Sequence, residues 1–535
     1  MAASAPPRGR SRRPPARRRS HRGLFVALAV VVLAAAVWAA AVLGFSGVTL
    51  GGDASALARV KLQPFAGSLA SVRARGPGGR PVPLVVSHGR LTPRTPLAPG
   101  ERIAVSVVVR RPGWSSWALG AERRETLTVE TPVATAVDRW VTVPRGGHAQ
   151  VRFDMPVERT SVAGALVAGS TVTLPTRSVA GSLRLATAAR PWETLGAPVR
   201  VTWFPPADRP VVLSSPGPDA RTSPLAPIRL TFSEPLSHVL DGKKPALVPS
   251  VPGRWLQVDS HTLVFRPSGS GAPFDSSLTV RFPTPVVVAG ANRAAAGLHL
   301  AIAPASFVRL QQLLAQEGYL PVDWVPAGRD VRTTMRSEVA AAVAPPAGRF
   351  FWRYPSTPHE LQVLWKAGRP NEITRGAVMM FQDEHGLVVD GIAGPKVWRA
   401  VLADAVAGKH RVSGYSYVFV HRNVPQLLTL WHNGHVVLTS PGNTGVPAAP
   451  TALGTWPVFE HIPVGRMSGT NPDGTHYNDP GIRWISYFHG GEALHAFNRA
   501  SFGTPQSLGC VELPLDAAAK VWPYTPIGTL VTIEN

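Results

Sequence analysis

Cysteine occurs once in the 535 residues, at Cys510. A lone thiol rules out an intramolecular disulfide and argues against a cysteine-based zinc or iron–sulfur centre. Acid is also scarce, with 32 Asp+Glu against 55 Lys+Arg and a formal net charge of +23. Residues 1–23 hold no acid at all, only Arg8, Arg10, Arg12, Arg13, Arg17, Arg18, Arg19 and Arg22. Although Gly (50) and Pro (54) are abundant, they show no collagen-like period, and a 44% hydrophobic content excludes a disordered chain. The length calls for several domains.

A basic tail by itself would suit nucleic acid, but the next segment points elsewhere. Leu24 to Phe45 is a run of 22 residues without a charge. At ~1.5 Å per residue it is long enough to span the ~30 Å hydrocarbon core of a bilayer. It exceeds the roughly 7–15 apolar residues of a cleavable signal peptide, which predicts an uncleaved transmembrane helix. The arginines then place the tail in the cytoplasm and the rest of the chain outside. The partners expected are the membrane and an anionic envelope, with no nucleic acid.

Residues 47–304 read as short alternating strands separated by Pro/Gly turns, such as Arg102–Val109, Ile228–Phe232 and Ser277–Phe282. Val151-Arg-Phe-Asp-Met-Pro-Val157 and Leu230-Thr-Phe-Ser-Glu-Pro-Leu236 repeat one pattern, and Trp255 and Thr262–Pro267 fit a further copy. The segment resembles the bacterial Ig-like modules of surface proteins, acting as spacers. From Ser306 the period becomes helical, with Phe307, Leu310, Leu313 and Leu314 on one face and Gly318 as a C-cap. Thr357-Pro-His-Glu360 predicts a capping box, and further helices are predicted near Thr374–Glu384 and Pro395–Val406. Phe381-Gln382, then Gly386-Leu-Val-Val-Asp-Gly-Ile-Ala-Gly-Pro395 and Trp398, resemble the peptidoglycan-binding helical domain, with an insertion near 325–356.

Strands return after residue 414, and Cys510 lies in Ser507-Leu-Gly-Cys-Val-Glu-Leu-Pro514, with His495 fifteen residues upstream. A free thiol of ordinary pKa is mostly protonated at neutral pH and needs a basic neighbour to become a nucleophile. His495, Ser507, Gly509, Cys510 and Val511 together resemble the motif of the L,D-transpeptidase catalytic domain. Asn443-Thr-Gly445 and Thr451-Ala-Leu-Gly454 add to that resemblance. Leu508 stands where the family has histidine, and Glu512 where it has Asn or Arg.

The resemblance implies the following roles. Cys510 is the nucleophile and His495 its base, favoured over His489. Gly509 and Cys510 supply oxyanion N–H donors, and the Ala496 carbonyl orients the imidazole. Tyr477 and Ser507 contact substrate. No metal and no cofactor is expected. The substrates implied are peptidoglycan stem peptides and glycan. The implied reaction is transfer from a tetrapeptide stem through a cysteine thioester to form a 3→3 crosslink; hydrolysis of the same thioester and a non-catalytic scaffold are the alternatives.

The expected architecture is multidomain. A basic tail (1–23) and a transmembrane helix (24–46) precede all-β modules at 47–130, 131–207 and 208–304. A small all-α peptidoglycan-binding domain (305–410) and a mostly-β catalytic domain (411–535) follow.

Overall fold

The computed structural model describes residues 22–162, 164–174, 179–291 and 297–535; the arginine-rich tail up to His21 lies outside them. The chain divides into two compact units, Met1–Pro206 and Ala207–Asn535.

The first unit begins with the apolar helix Arg22–Phe45, whose residues up to Ala40 are almost all exposed. Alternation of Ile103, Val105, Val107 and Val109 along Arg102–Arg110 buries one face of a four-stranded sheet. That face packs on a second four-stranded sheet through Leu57, Val60 and Leu91. Beyond it, a five-stranded sheet and a two-stranded sheet enclose Val151, Val172, Leu185 and Val201.

The second unit opens with another pair of packed sheets, of five and four strands, around Leu230, Phe232, Val280 and Leu300. Four helices follow: Phe307–Gln316, Met335–Val343, Glu372–Glu384 and Pro395–Ala407. Gln382 organises the loop between the last two. Its amide oxygen accepts from the N–H groups of Asp390 (3.0 Å) and Gly391 (2.9 Å), and its Nε2 donates to Asp390 Oδ1 (2.7 Å). Trp398 is buried against Phe274, with ring centres 5.4 Å apart. The insertion near 325–356 folds as a hairpin, Val322–Pro326 with Gly348–Trp352, enclosing the helix Met335–Val343.

The capping box predicted at 357–360 does not form. Only one turn, His359–Gln362, is helical, its N-cap is Pro358, and Thr357 Oγ1 donates instead to Tyr354 O (2.6 Å). A proline ring offers no side-chain acceptor, and four residues leave no helix to cap. The side-chain caps lie at Thr334, which accepts from Ser337 N, and Asn371, which accepts from Thr374 N at 2.9 Å.

The last part is a five-stranded sheet facing a four-stranded one over Val418, Leu428, Leu494, Val511 and Val531. It shares a hydrophobic core with the helices, since Tyr415, Tyr417, Trp431 and Leu530 pack with Leu313, Val378 and Phe381. At that seam Gly376 and Gly528 bring their backbones together. A Cβ on either would lie 2.3–2.4 Å from the other's carbonyl oxygen.

Candidate active site

Strand Glu492–Ala496 pairs in parallel with strand Val511–Leu513, matching Leu494 to Val511 and His495 to Glu512. Partners across a ladder point to one side, and successive residues point to opposite sides. Leu494, Ala496, Val511 and Leu513 therefore enter the core between the sheets. Ala493 and His495, with Cys510 and Glu512, occupy the other face. There Cys510 packs with Ala493, Tyr487 and Phe497. A loop of fourteen residues, 497–510, thus returns the thiol to the strand beside the histidine's.

His495 is buried, and its Nδ1 lies 3.0 Å from the carbonyl oxygen of Ala496. Only Nδ1–H can donate there, so the lone pair is left on Nε2. Burial lowers the imidazole pKa; the Ala496 bond and the Glu512 charge oppose this, and Arg499 adds to it. The imidazole is thus favoured in its neutral form and held in one tautomer.

The Cys510 thiol faces Gly491 O at 3.7 Å and accepts the Ala493 N–H. Burial, reinforced by the carboxylates of Glu512 and Glu492, pushes its pKa up to about 11. Gly509 precedes it at φ +109°, where a side chain would be strained, and a Cβ there would come 3.3 Å from Glu492 Oε1. Gly509 N–H donates to Ser507 Oγ (3.3 Å), which donates to Cys510 O (2.6 Å). Ser507, expected to contact substrate, is buried and its hydroxyl is engaged within this turn, where it shapes the loop before Cys510.

The loop 497–507 is tied down from below. Asn443 Oδ1 accepts from Gly503 N (2.9 Å), Asn443 N–H donates to Glu512 O (2.9 Å), and Gln506 N–H donates to Thr444 O (2.9 Å). Thr451 Oγ1 accepts from Gly445 N (2.8 Å), which accounts for both upstream sequence matches.

Above the thiol stands the long hairpin Glu460–Thr470 and His476–His489. It carries Tyr477 opposite Gly469, and the phenols of both Tyr477 and Tyr487 are raised first by burial and next by the Cys510 charge. Tyr477 is thus within electrostatic reach of the Cys510 thiol. Tyr487 stands in the same relation to the thiol.

Two carboxylates complete the site. Glu512 takes both its hydrogen bonds from Arg499, Nε to Oε2 at 2.8 Å and Nη2 to Oε1 at 2.7 Å; Arg499 also donates to Gln506 O (3.1 Å). Glu492 accepts from Ala452 N (3.2 Å) and pairs with His489 (3.3 Å), whose ring lies tilted against Trp456 with centres 4.4 Å apart. His489 is therefore engaged by Glu492. Glu492 had no signal in the sequence beyond its spacing to His495.

Residues 415–533 match the family model of the L,D-transpeptidase catalytic domain, and residues 366–401 that of a peptidoglycan-binding domain. No curated protein matches the chain. Among solved structures, an L,D-transpeptidase from Mycobacterium smegmatis is 12% identical, with 61% of this chain aligned over 99% of that one at a TM-score of 0.21. The catalytic domain of an E. faecium L,D-transpeptidase is 22% identical, with 23% of this chain over 99% of that one at 0.21. L,D-transpeptidase 3 from Mycobacterium tuberculosis, in complex with a faropenem-derived adduct, is 11% identical, with 60% over 97% at 0.21.

Proposed function

We propose that this chain, which carries an L,D-transpeptidase catalytic domain and a peptidoglycan-binding domain, crosslinks peptidoglycan stems by cysteine acyl transfer. The observation that carries the reading is the pairing of strands Glu492–Ala496 and Val511–Leu513, which sets Cys510 and His495 on one face with the imidazole tautomer fixed by Ala496 O.

In the first step Cys510 Sγ leaves the Gly491 carbonyl, and its proton passes to His495 Nε2. The sulfur attacks the carbonyl that links the third stem residue to a terminal D-Ala. The oxyanion is received by backbone N–H groups at Gly509 and Cys510, with Gly509 exchanging its long bond to Ser507 for a charged acceptor. One such donor is worth about 10²–10³ in rate in other enzymes. The protonated His495 gives its proton to the departing D-Ala nitrogen, and a thioester remains. In the second step the side-chain amine of a neighbouring stem attacks the thioester, His495 takes its proton, and the thiol is released. The product is a 3→3 crosslink.

The same reading makes the chain membrane-anchored, with its catalytic part outside. It is supported by the helix Gly23–Phe45, apolar over 23 residues and 6% buried, with arginines on its N-terminal side.

Full-length protein given a disaccharide-tetrapeptide, analysed by mass spectrometry beside Cys510→Ala, tests the chemistry. Cys510-dependent dimers that have lost D-Ala are expected. A Cys510-dependent tripeptide alone would make the enzyme an L,D-carboxypeptidase, in which water resolves the thioester. The absence of both product and thioester adduct would leave a peptidoglycan-binding scaffold.

A further inference from the structure

The outer end of the apolar helix is built into the first sheet pair. Phe65 N–H donates to Phe45 O (3.0 Å), Gly47 N–H donates to Gln63 Oε1 (2.8 Å), and Val48 already begins a strand paired with Ala58–Leu62. Val42 and Ser46, both 6% exposed, are covered. The contact reaches further along the helix, because the Trp38 ring lies 5.3 Å from that of Trp114, which in turn meets Phe65 at 6.0 Å. Trp38 precedes Phe45 by seven residues, or ~10 Å of helix. Any bilayer spanned by Gly23–Phe45 must then also bathe what touches Trp38.

What touches it is the short helix Gly113–Leu119, which links strands Arg102–Arg110 and Glu122–Glu130. Its Trp117 is 85% exposed, the most exposed tryptophan among the described residues. The indole N–H of Trp117 already donates to Trp114 O (2.9 Å), so the ring presents an apolar surface outward. Arg110 and Arg111 precede this helix, and Arg123 and Arg124 follow it. Arg111 is spent on the helix's last carbonyls, at Leu119 and Gly120. Arg110 and Arg124 instead line a groove of about 650 Å³ on the outer sheet face together with Arg73 and Arg75, against the single acid Glu122. An exposed tryptophan flanked by arginines suits the bilayer interface, where indole rings sit at headgroup level and guanidinium groups meet lipid phosphates.

We propose that Gly113–Leu119 is a membrane foot: Trp114 and Trp117 enter the outer leaflet beside the anchor helix, and the arginines at either side rest on anionic headgroups. The proposal rests on the reading of Gly23–Phe45 as membrane-spanning. The first sheet pair then stands on the bilayer at two points, and its orientation to the membrane is fixed.

The test uses the full chain in Cys510→Ala background, so that one introduced cysteine can carry an environment-sensitive fluorophore. Ser116→Cys reports on the foot, Val31→Cys on the middle of the helix, and Val137→Cys on the domain surface. Each is reconstituted into phosphatidylglycerol-containing vesicles with nitroxide quenchers at shallow depth or deep in the acyl chains. The expected result is a blue-shifted label at 116 quenched by the shallow nitroxide, a label at 31 quenched by the deep one, and a label at 137 left in water. Adding Trp117→Ser should move the label at 116 toward water, and an unchanged signal would overturn the role given to Trp117. A label at 116 that behaves like that at 137, while 31 is quenched, would overturn the foot and leave the anchor standing. An unquenched label at 31 would overturn both. A blue-shifted label at 116 that no lipid quenches would mean that protein covers the helix, and would overturn the proposal.

Discussion

Glu512 lies directly across the parallel ladder from His495, and its carboxylate is clasped at both oxygens by Arg499. The negative charge beside the imidazole is thus balanced by a cation from the loop that joins the two strands. Arg499 lowers the His495 pKa and Glu512 raises it. Arg499→Met should therefore raise the pKa of the imidazole and move the acidic limb of the acylation rate to higher pH. It also leaves the buried Glu512 without its donors, a loss of about 1–3 kcal/mol in stability. A pH–rate profile paired with denaturant unfolding checks both effects, and an acidic limb that stays put would count against the coupling.

Glu492 packs against Gly509 and raises the thiol pKa. Glu492→Gln keeps the shape and removes the charge, so the thiol should ionise at lower pH than in the parent, from its starting point of about 11. The rate of Cys510 alkylation by iodoacetamide, followed across pH, reads this directly. Equal profiles in parent and variant would show that Glu492 does not act on the thiol.

Glu317 is 3% exposed and neither carboxylate oxygen has a hydrogen-bond partner among the described residues. Burial first, then the nearby Asp404 and Glu338, raise its pKa to about 9. The folded chain holds this proton where the unfolded chain, near 4.5, releases it, so stability should fall as pH rises from about 5 to about 9. Glu317→Gln mimics the protonated form and should remove that part of the slope. Melting temperatures of parent and variant that run parallel across this range would refute the assignment.

Gly528 has φ +88°, and a Cβ there would lie 2.3 Å from Gly376 O. Gly528→Ala must open the seam between helix Glu372–Glu384 and the last strand. Overpacking of this kind costs about 1–3 kcal/mol, to which the left-handed backbone adds. A lowered denaturant midpoint is expected, and an unchanged one would mean that the seam is loose.

That Cys510 and His495 come to one face was legible because the pattern needs two residue types at a loop-closing distance, and the sequence holds only one thiol. The Ala496 carbonyl was legible only through the family resemblance, which implies a nearby backbone carbonyl against the histidine. Tyr487 and Glu492 were not, since nothing local distinguishes a residue facing the thiol from one facing solvent; the ladder register decides it. Ser507 matched a motif yet is consumed in its own turn. At Thr357–Glu360 the spacing of a capping box was present without the helix, because the chain stops turning after Gln362. Gln382, which read as half of a signature pair, proves to be the residue that stitches the loop before Pro395.

The apposition of Gly376 and Gly528 has a mechanical meaning. Because two bare backbones meet there and a common core runs from Leu313 to Leu530, the helices that resemble a wall-binding domain have no hinge of their own toward the thiol. If the helices hold peptidoglycan as proposed, holding it and aiming Cys510 would become one act, and a captured strand would be presented to the thiol at a fixed offset. Crosslinking distance along the wall would then be ruled by the protein's own geometry, as a jig rules the spacing of drilled holes.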